Sequence, residues 1–197
     1  VPFHVNGAAA GEFRVTDDST SAQVDNPAET GLKAGSYTIT ASKAGFEPFS
    51  HGFSINPDTD SEKSIDIQWK VLPANVMIRV PPGGALRVDG VEQPGGGAGE
   101  FSTQWHPGMT HSISWESASS SFQVEFEMTD STVVVKQDPI FRGNVFGIIG
   151  ITSQSALTYQ AVNIPGGIVK TVDGKTEEVA SQDTASIPMS HTAVIHV

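Results

Sequence analysis

One phrase occurs twice in this chain and constrains its architecture more than any other feature. Residues 82–90 begin with Pro-Gly-Gly and end with Val-Asp-Gly, and residues 165–174 begin and end in the same way. A shorter Val-Asn-Gly stands at 5–7. A run typical of a β-strand follows each turn, at 36–41, 111–116 and 191–196. An internal repeat of this kind predicts a serial β architecture of about three units of roughly 60–70 residues.

Apolar and polar residues alternate repeatedly along the chain, whereas helical periodicity is nearly absent. The clearest alternating segments are 13–15, 37–41, 53–55, 65–69, 76–80, 86–88, 112–115, 122–126 and 133–135. Such alternation predicts half-buried strands. Asp-Gly and Asn-Gly favour two-residue hairpins, because a type I′ turn needs positive φ at both central residues. The expected fold class is therefore all-β, with small units in series made of antiparallel sheets.

The repeat also predicts the domain organisation. We expect two β units at 1–69 and 70–138, an apolar insert or linker at 139–161, and a partial third β unit at 162–197. Both ends look cut, and the chain begins with valine instead of methionine, as a processed chain does. We therefore expect that the ends either have unpaired strand edges or are covered by something else. The tail strand near 191–197 would then pair with the exposed start of another copy.

Composition excludes several classes of function. The net charge is −11 with only 11 scattered Lys and Arg residues, which argues against nucleic acid as the main partner and against an anionic membrane surface. The absence of cysteine excludes disulfides, thiolate metal sites and cysteine nucleophiles. The longest apolar run, 145–151, is too short to span a bilayer as a helix. No catalytic or nucleotide-binding motif occurs, so we expect no enzyme, no catalytic residues and no cofactor.

Two stretches carry a family resemblance. Residues 31–48 read Gly-Leu-Lys-Ala-Gly-Ser-Tyr-Thr-Ile-Thr-Ala-Ser-Lys-Ala-Gly-Phe-Glu-Pro, and residues 81–90 read Pro-Pro-Gly-Gly-Ala-Leu-Arg-Val-Asp-Gly. Together with the strand at 105–115, they resemble the PEGA-type domain of bacterial and archaeal envelope proteins. The resemblance covers about two-thirds of the chain, and no single unit carries the whole pattern. It implies small tandem β-sandwiches at the cell surface, and it carries over no catalytic residue.

Two places resemble ligand sites. Asp58, Asp60 and Glu62 stand at alternate positions after Asn56, a spacing that lets side-chain oxygens converge on a calcium ion. The competing interpretation, which we prefer, is a solvated turn without metal. Trp105 adjoins His-Pro-Gly in a loop, so we expect it to be the most exposed tryptophan and a candidate for binding sugar rings. Ordinary core packing explains Trp115, which lies within an alternating strand.

The segment 139–161 is the strongest candidate for a partner-binding surface. Its apolar residues occur at both alternating and consecutive positions, which implies burial on both faces. The residues expected to contact a partner are Phe141, Val145, Phe146, Ile148, Ile149 and Ile151. The alternative is an ordinary central hairpin of the last unit.

These observations favour a non-enzymatic, extracytoplasmic structural or interaction protein at the cell surface or in the periplasm. It would assemble with protein partners, including copies of itself, through edge strands and the apolar insert. Three alternatives stay open. They are a virion or phage surface protein, a carbohydrate-binding module, and an accessory subunit of a membrane complex.

Overall fold

Nearly all regular structure in the described part of the chain is β-strand. The computed structural model describes residues 1–94, 99–138, 142–143, 147–164, 167–172, 175–180 and 183–197. In these ranges it contains nineteen strands and one four-residue helix. The chain divides into two compact units, Val1–Lys70 and Val71–Val197. The prediction of an all-β chain with antiparallel sheets is confirmed.

The first unit contains six strands and the helix. Their bounds are β1 (Phe3–Asn6), β2 (Phe13–Asp17), β3 (Ala22–Gln23), α1 (Pro27–Thr30), β4 (Gly35–Ala41), β5 (Phe49–Ile55) and β6 (Lys63–Asp66). Four strands form an antiparallel sheet in the order β3-β2-β4-β5. Strands β1 and β6 form a separate parallel pair. Strand β5 is therefore an outer strand of its sheet, hydrogen bonded on one side to β4.

Alternation along β4 builds the core of the first unit. Tyr37, Ile39 and Ala41 are buried, whereas the threonines between them point away from the core. The predicted inward face of segment 37–41 is therefore confirmed. The buried cluster comprises Phe3, Val15, Leu32, Tyr37, Ile39, Ala41, Ile55, Ile65 and Ile67.

The second unit contains thirteen strands in its described part. Their bounds are β7 (Ala74–Arg79), β8 (Ala85–Val88), β9 (Val91–Glu92), β10 (Glu100–Trp105), β11 (Thr110–Glu116), β12 (Ser121–Met128), β13 (Thr132–Gln137), β14 (Ile148–Thr152), β15 (Leu157–Val162), β16 (Ile168–Val172), β17 (Lys175–Val179), β18 (Thr184–Ile187) and β19 (Thr192–His196). Six form a sheet in the order β10-β7-β14-β19-β16-β17, and seven form a sheet in the order β18-β15-β13-β12-β11-β8-β9. All neighbours are antiparallel except β13 and β15.

One hydrophobic cluster contains buried apolar residues from both sheets of the second unit. In β12, every second residue from Phe122 to Met128 is buried and the residues between are exposed, as a strand with one face in a core requires. Ile78 and Ile149, from the six-stranded sheet, belong to the same cluster as Phe126, from the seven-stranded sheet. The two sheets therefore share a single core.

Adjacent strands of the second unit come from distant parts of the sequence. Strand β14 lies between β7 and β19, with Ile149 opposite both Ile78 and Ile195. The segments 70–138, 139–161 and 162–197, which we expected to be a unit, an insert and a partial unit, thus contribute neighbouring strands to the same sheets. Alternation identifies a strand, but its partners depend on contacts far along the chain, which explains this difference from the predicted organisation.

The repeated turns have different outcomes. Asp89 and Gly90 have φ values of 51° and 78°, and they join β8 to β9 with Val88 opposite Val91. This two-residue turn confirms the predicted type I′ hairpin. The hairpin predicted at Asn6-Gly7 is wrong, because β1 ends there and pairs in parallel with the distant β6. Residues 173–174, the third predicted turn, lie outside the described residues.

Candidate functional site

The residues considered as calcium ligands make other contacts. The backbone N–H of Asn56 donates to Asp60 Oδ2 at 2.8 Å, and the Asn56 side chain accepts from the N–H of Asp58. Glu62 lies 3.3 Å from His4 of β1. Asp60 and Glu62 therefore make separate contacts and do not converge on one point. No group of three or more His, Asp or Glu side chains suited to a metal occurs among the described residues.

Trp105 is buried, so the expectation that it is exposed is wrong. It is 2% exposed, and its ring stacks on the His111 imidazole with centroids 4.6 Å apart and planes 4° from parallel. The His111 Nδ1 atom lies 2.9 Å from Asp89 Oδ2, which connects the ring pair to the β8–β9 turn. Trp105 is the last residue of the edge strand β10, and its side chain lies on the face of that strand that points into the core. This position outweighs the tendency of the adjacent Pro-Gly to form an exposed loop. In this position its indole cannot stack on a sugar.

The apolar segment proposed for partner binding is mostly a core strand. Ile149 and Ile151 are fully buried in β14, between two hydrogen-bonded neighbours, so they are not available to a partner and that prediction is wrong for them. Ile148 is half-buried on the other face of the strand. Phe141, Val145 and Phe146 lie outside the described residues.

The tail strand is also internal. Strand β19 pairs with β14 on one side and β16 on the other, so it has no free edge for the start of another copy. The head-to-tail pairing expected from the sequence is wrong for this strand. The edges that the described residues do leave unpaired belong to other strands, and they differ in how well they are protected.

Most outer strands carry the features that prevent edge-to-edge pairing. Strands β3 and β9 have two residues each, and β18 has four. Strand β17 has five residues, three of them charged: Lys175, Glu177 and Glu178. Strand β10 begins with Glu100, which is bound by Arg79 of the neighbouring strand. Short length and charge are the usual means of blocking a sheet edge.

Strand β5 lacks that protection. It has seven residues, Phe-Ser-His-Gly-Phe-Ser-Ile, with no proline and no Asp, Glu, Lys or Arg. All seven residues pair with β4 on one side, from Ala41 opposite Phe49 to Gly35 opposite Ile55. Among the described residues, no strand pairs with its other side, and its backbone makes no hydrogen bond outside the β4 ladder. Strand β5 is therefore an open edge able to accept another strand.

The side chains of β5 are held firmly on one face and are small on the other. Phe53 stacks on Phe3 at 5.3 Å and on Tyr37 at 5.7 Å, measured between ring centroids. Phe49 and Phe53 are only half-buried, although both pack against the core. The opposite face carries Ser50, Gly52 and Ser54, all exposed. The edge thus combines incompletely covered aromatic rings with a face that presents no steric obstacle.

A second surface feature lies on the outer face of the six-stranded sheet. Gln104, Asn75, Thr152 and Thr192 form one row across β10, β7, β14 and β19. Gln104 Nε2 donates to Asn75 Oδ1 at 3.0 Å, and the two threonine hydroxyls lie 2.7 Å apart. The next row contains Gly150, whose missing side chain leaves a depression. The resulting groove has a volume of about 620 Å³ and contains uncharged side chains.

No family model, no curated protein and no solved structure matches this chain. No helix among the described residues has the length and apolar character needed to cross a membrane. Sequence reasoning predicted a strand at 53–55 but identified neither the open edge of β5 nor the groove. The absence of charge in segment 49–55 is visible in the sequence, but its position at a sheet edge depends on which strands find partners.

Proposed function

We propose that this chain is a non-enzymatic structural or interaction protein that docks protein partners by strand addition at the edge of β5. In this proposal its units are small β-sandwiches of the PEGA or immunoglobulin-like kind, working outside the cytoplasm. The observation that carries the proposal is the unprotected seven-residue edge of β5. A strand added there would gain main-chain hydrogen bonds from the edge and side-chain contacts from Phe49 and Phe53.

The charge of the chain supports this choice of partner. A net charge of −11 disfavours polyanionic ligands, whereas an added strand binds through backbone groups that need no opposite charge. Strand β5 is a seven-residue uncharged edge on an acidic chain, and its aromatic rings resemble those enriched at the centre of protein interfaces. The cell envelope and the surface of a virion are both compatible locations. Recovery of the chain in purified particles would favour the virion, and co-purification with membrane proteins would favour an accessory subunit.

The test uses short peptides as strand donors. Blocked heptapeptides with alternating apolar and uncharged polar residues are titrated into the protein, and backbone amide exchange is followed along β5. We expect slower exchange at β5 and unchanged exchange at the charged edge β17. A peptide with proline at its centre is the control, because proline cannot complete the ladder. If no alternating peptide slows exchange at β5, and a rise in protein concentration also leaves it unchanged, the proposed function is wrong.

A second candidate function is binding of a neutral carbohydrate in the groove of the six-stranded sheet. The specific observation is the row of amides and hydroxyls above an apolar floor made by Met77 and Gly150. Neutral hydroxyls of a sugar need donors and acceptors of this type, and no charge. Glycan-array binding that is lost in Asn75→Ala and Gln104→Ala, and retained in Gln123→Ala on the other sheet, would support it. Equal signals from all three variants would reject this site.

A further inference from the structure

We infer that the partner of β5 is β5 of a second copy, paired in antiparallel orientation about Gly52. This inference rests on the proposed function and names the partner for that edge. A strand that pairs with itself around a two-fold axis must present compatible residues at positions equally far from the axis. The sequence of β5 meets this condition, because residues equally far from Gly52 on its two sides are compatible with one another.

The register about Gly52 pairs like with like. Phe49 would lie opposite Ile55 of the second copy, and Ser50 opposite Ser54. His51 would lie opposite Phe53, and Gly52 opposite Gly52. Directly opposed pairs set the stability of a sheet, and the pairs here are apolar with apolar, hydroxyl with hydroxyl and ring with ring. No pair opposes two charges.

In this register the core-facing side of one strand also meets the core-facing side of the other. Positions 49, 51, 53 and 55 lie on the core side of β5, and in this register they meet the same four positions of the second copy. The half-buried rings of Phe49 and Phe53 would then be covered by Ile55 and His51 of that copy. A shift of the register by one residue would bring the core side of one strand to the outer side of the other. The half-exposed aromatic row therefore excludes registers shifted by one residue, and the opposition of Ser50 to Ser54 and of Phe49 to Ile55 favours the register about Gly52.

The outer face of β5 is open at the axis. A Cβ atom added to Gly52 would meet no atom within 4 Å, so a side chain can be introduced there without a clash inside the protein. The two sheets would join as β3-β2-β4-β5-β5-β4-β2-β3, eight strands in sequence. Because one strand pair makes the contact, we expect a small, weak interface. The dimer would therefore form between micromolar and millimolar concentrations.

The first test is the mass in solution of the whole chain, by light scattering across that concentration range. Gly52→Lys would place two lysines opposite one another at the axis, and we expect it to weaken the dimer by about tenfold or more. Gly11→Lys is the matched control. It makes the same change of charge in the same unit, and its site is equally open. This control should dimerise as the unaltered chain does.

The second test fixes the register by cross-linking. The chain has no cysteine, so a single introduced cysteine reports on one position. Opposed residues in antiparallel strands have Cα atoms about 4.5–5.5 Å apart, which suits a disulfide. Gly52→Cys should therefore form a disulfide-linked dimer under mild oxidation. Ser54→Cys should not, because its two copies would lie about 13 Å apart along the strand.

The outcomes separate this inference from the proposed function. A dimer lost in Gly52→Lys and cross-linked in Gly52→Cys supports self-pairing. A dimer that persists in Gly52→Lys, or equal cross-linking of Gly52→Cys and Ser54→Cys, overturns it. A chain that is monomeric at every concentration also overturns self-pairing. If strand peptides still protect β5 in that monomer, the proposed function survives without the self-pairing, and if they do not, both fail.

Discussion

Phe53 of β5 stacks on Phe3 of β1, with ring centroids 5.3 Å apart and planes 7° from parallel. Phe3 is fully buried, whereas Phe53 is half-buried at the edge of the sheet. The stacking holds the edge strand against the core from inside, while the far side of its backbone stays unpaired. The first unit therefore presents an ordered strand edge, which reduces the entropy that an incoming strand must lose.

Phe53→Ala should destabilise the first unit and open the edge. Removal of a half-buried ring and of its stacking contacts is expected to cost about 2 kcal/mol of the free energy of unfolding. Native-state exchange of the Ile39 amide in β4 would measure this loss of stability, because Ile39 lies in the core of the same unit. Ser54→Ala, next to it on the exposed face, is the control. Equal exchange in the two variants would show that the ring does not anchor the strand.

Gly84→Ala should destabilise the second unit. A Cβ atom on Gly84 would lie 2.6 Å from Cζ2 of Trp115, so the methyl group collides with a buried ring. Overpacking of this kind costs about 1–3 kcal/mol. Gly150→Ala is the control in the same unit, since its nearest contact would be an ordinary 3.6 Å to Met77 Cε. Urea denaturation of both variants measures the difference, and equal midpoints would contradict the prediction.

Asp89→Ala should weaken the β8–β9 hairpin. Asp89 accepts the N–H of Ser112 at 2.7 Å and lies 2.9 Å from His111 Nδ1, and its φ of 51° disfavours alanine. The loss of both contacts and the strained backbone should cost about 2 kcal/mol in thermal or urea unfolding. Asp89→Asn retains hydrogen bonding and tolerates positive φ, so it should cost about half as much or less. A larger loss of stability in Asp89→Asn than in Asp89→Ala would refute this account of the turn.

Tyr159→Phe should be nearly neutral at pH 7. Tyr159 is fully buried, its hydroxyl has no hydrogen-bond partner among the described residues, and burial raises the pKa of that hydroxyl above its ordinary value. Removal of an unpaired buried hydroxyl is expected to change the free energy of unfolding by less than about 1 kcal/mol.

The same variant tests a dependence on pH. The folded protein holds the phenolic proton more tightly than the unfolded chain, so the stability due to Tyr159 is present below pH about 10. It is lost as the pH rises above that value toward the higher folded pKa. Urea denaturation at neutral and alkaline pH should therefore show a smaller loss in Tyr159→Phe than in the unaltered chain. If both proteins lost the same amount of stability between neutral and alkaline pH, the predicted direction of the pH dependence would be wrong.

The sequence predicts local features of this fold better than distant pairings. All nine alternating segments overlap strands of the structure, and Asp89-Gly90 forms the turn that its residue types require. The position of β14 between β7 and β19 was not predictable, because no local pattern specifies a partner about seventy residues earlier. The exposure predicted for Trp105 is wrong for the same reason. Its burial depends on stacking against His111 and packing on Phe126 across the core.

The candidate site also combines local features that the sequence shows with a strand pairing that it does not show. The near-symmetry and lack of charge of segment 49–55 can be read directly from the sequence. Its status as an edge depends on β4 having β2 as its other neighbour, and on β6 pairing with β1 instead of β5. Segment 49–55 is therefore a candidate docking surface because of its outer position in the sheet, and not because of its sequence pattern alone.

Backbone amide exchange measured at low and high protein concentration tests the central claim most directly. The claim is that the edge of β5 is the docking surface of this chain. We predict that amides of β5 exchange more slowly as concentration rises, while those of the charged edge β17 do not change. Exchange at β5 that is the same at all concentrations, and unaltered by strand peptides, would contradict the claim.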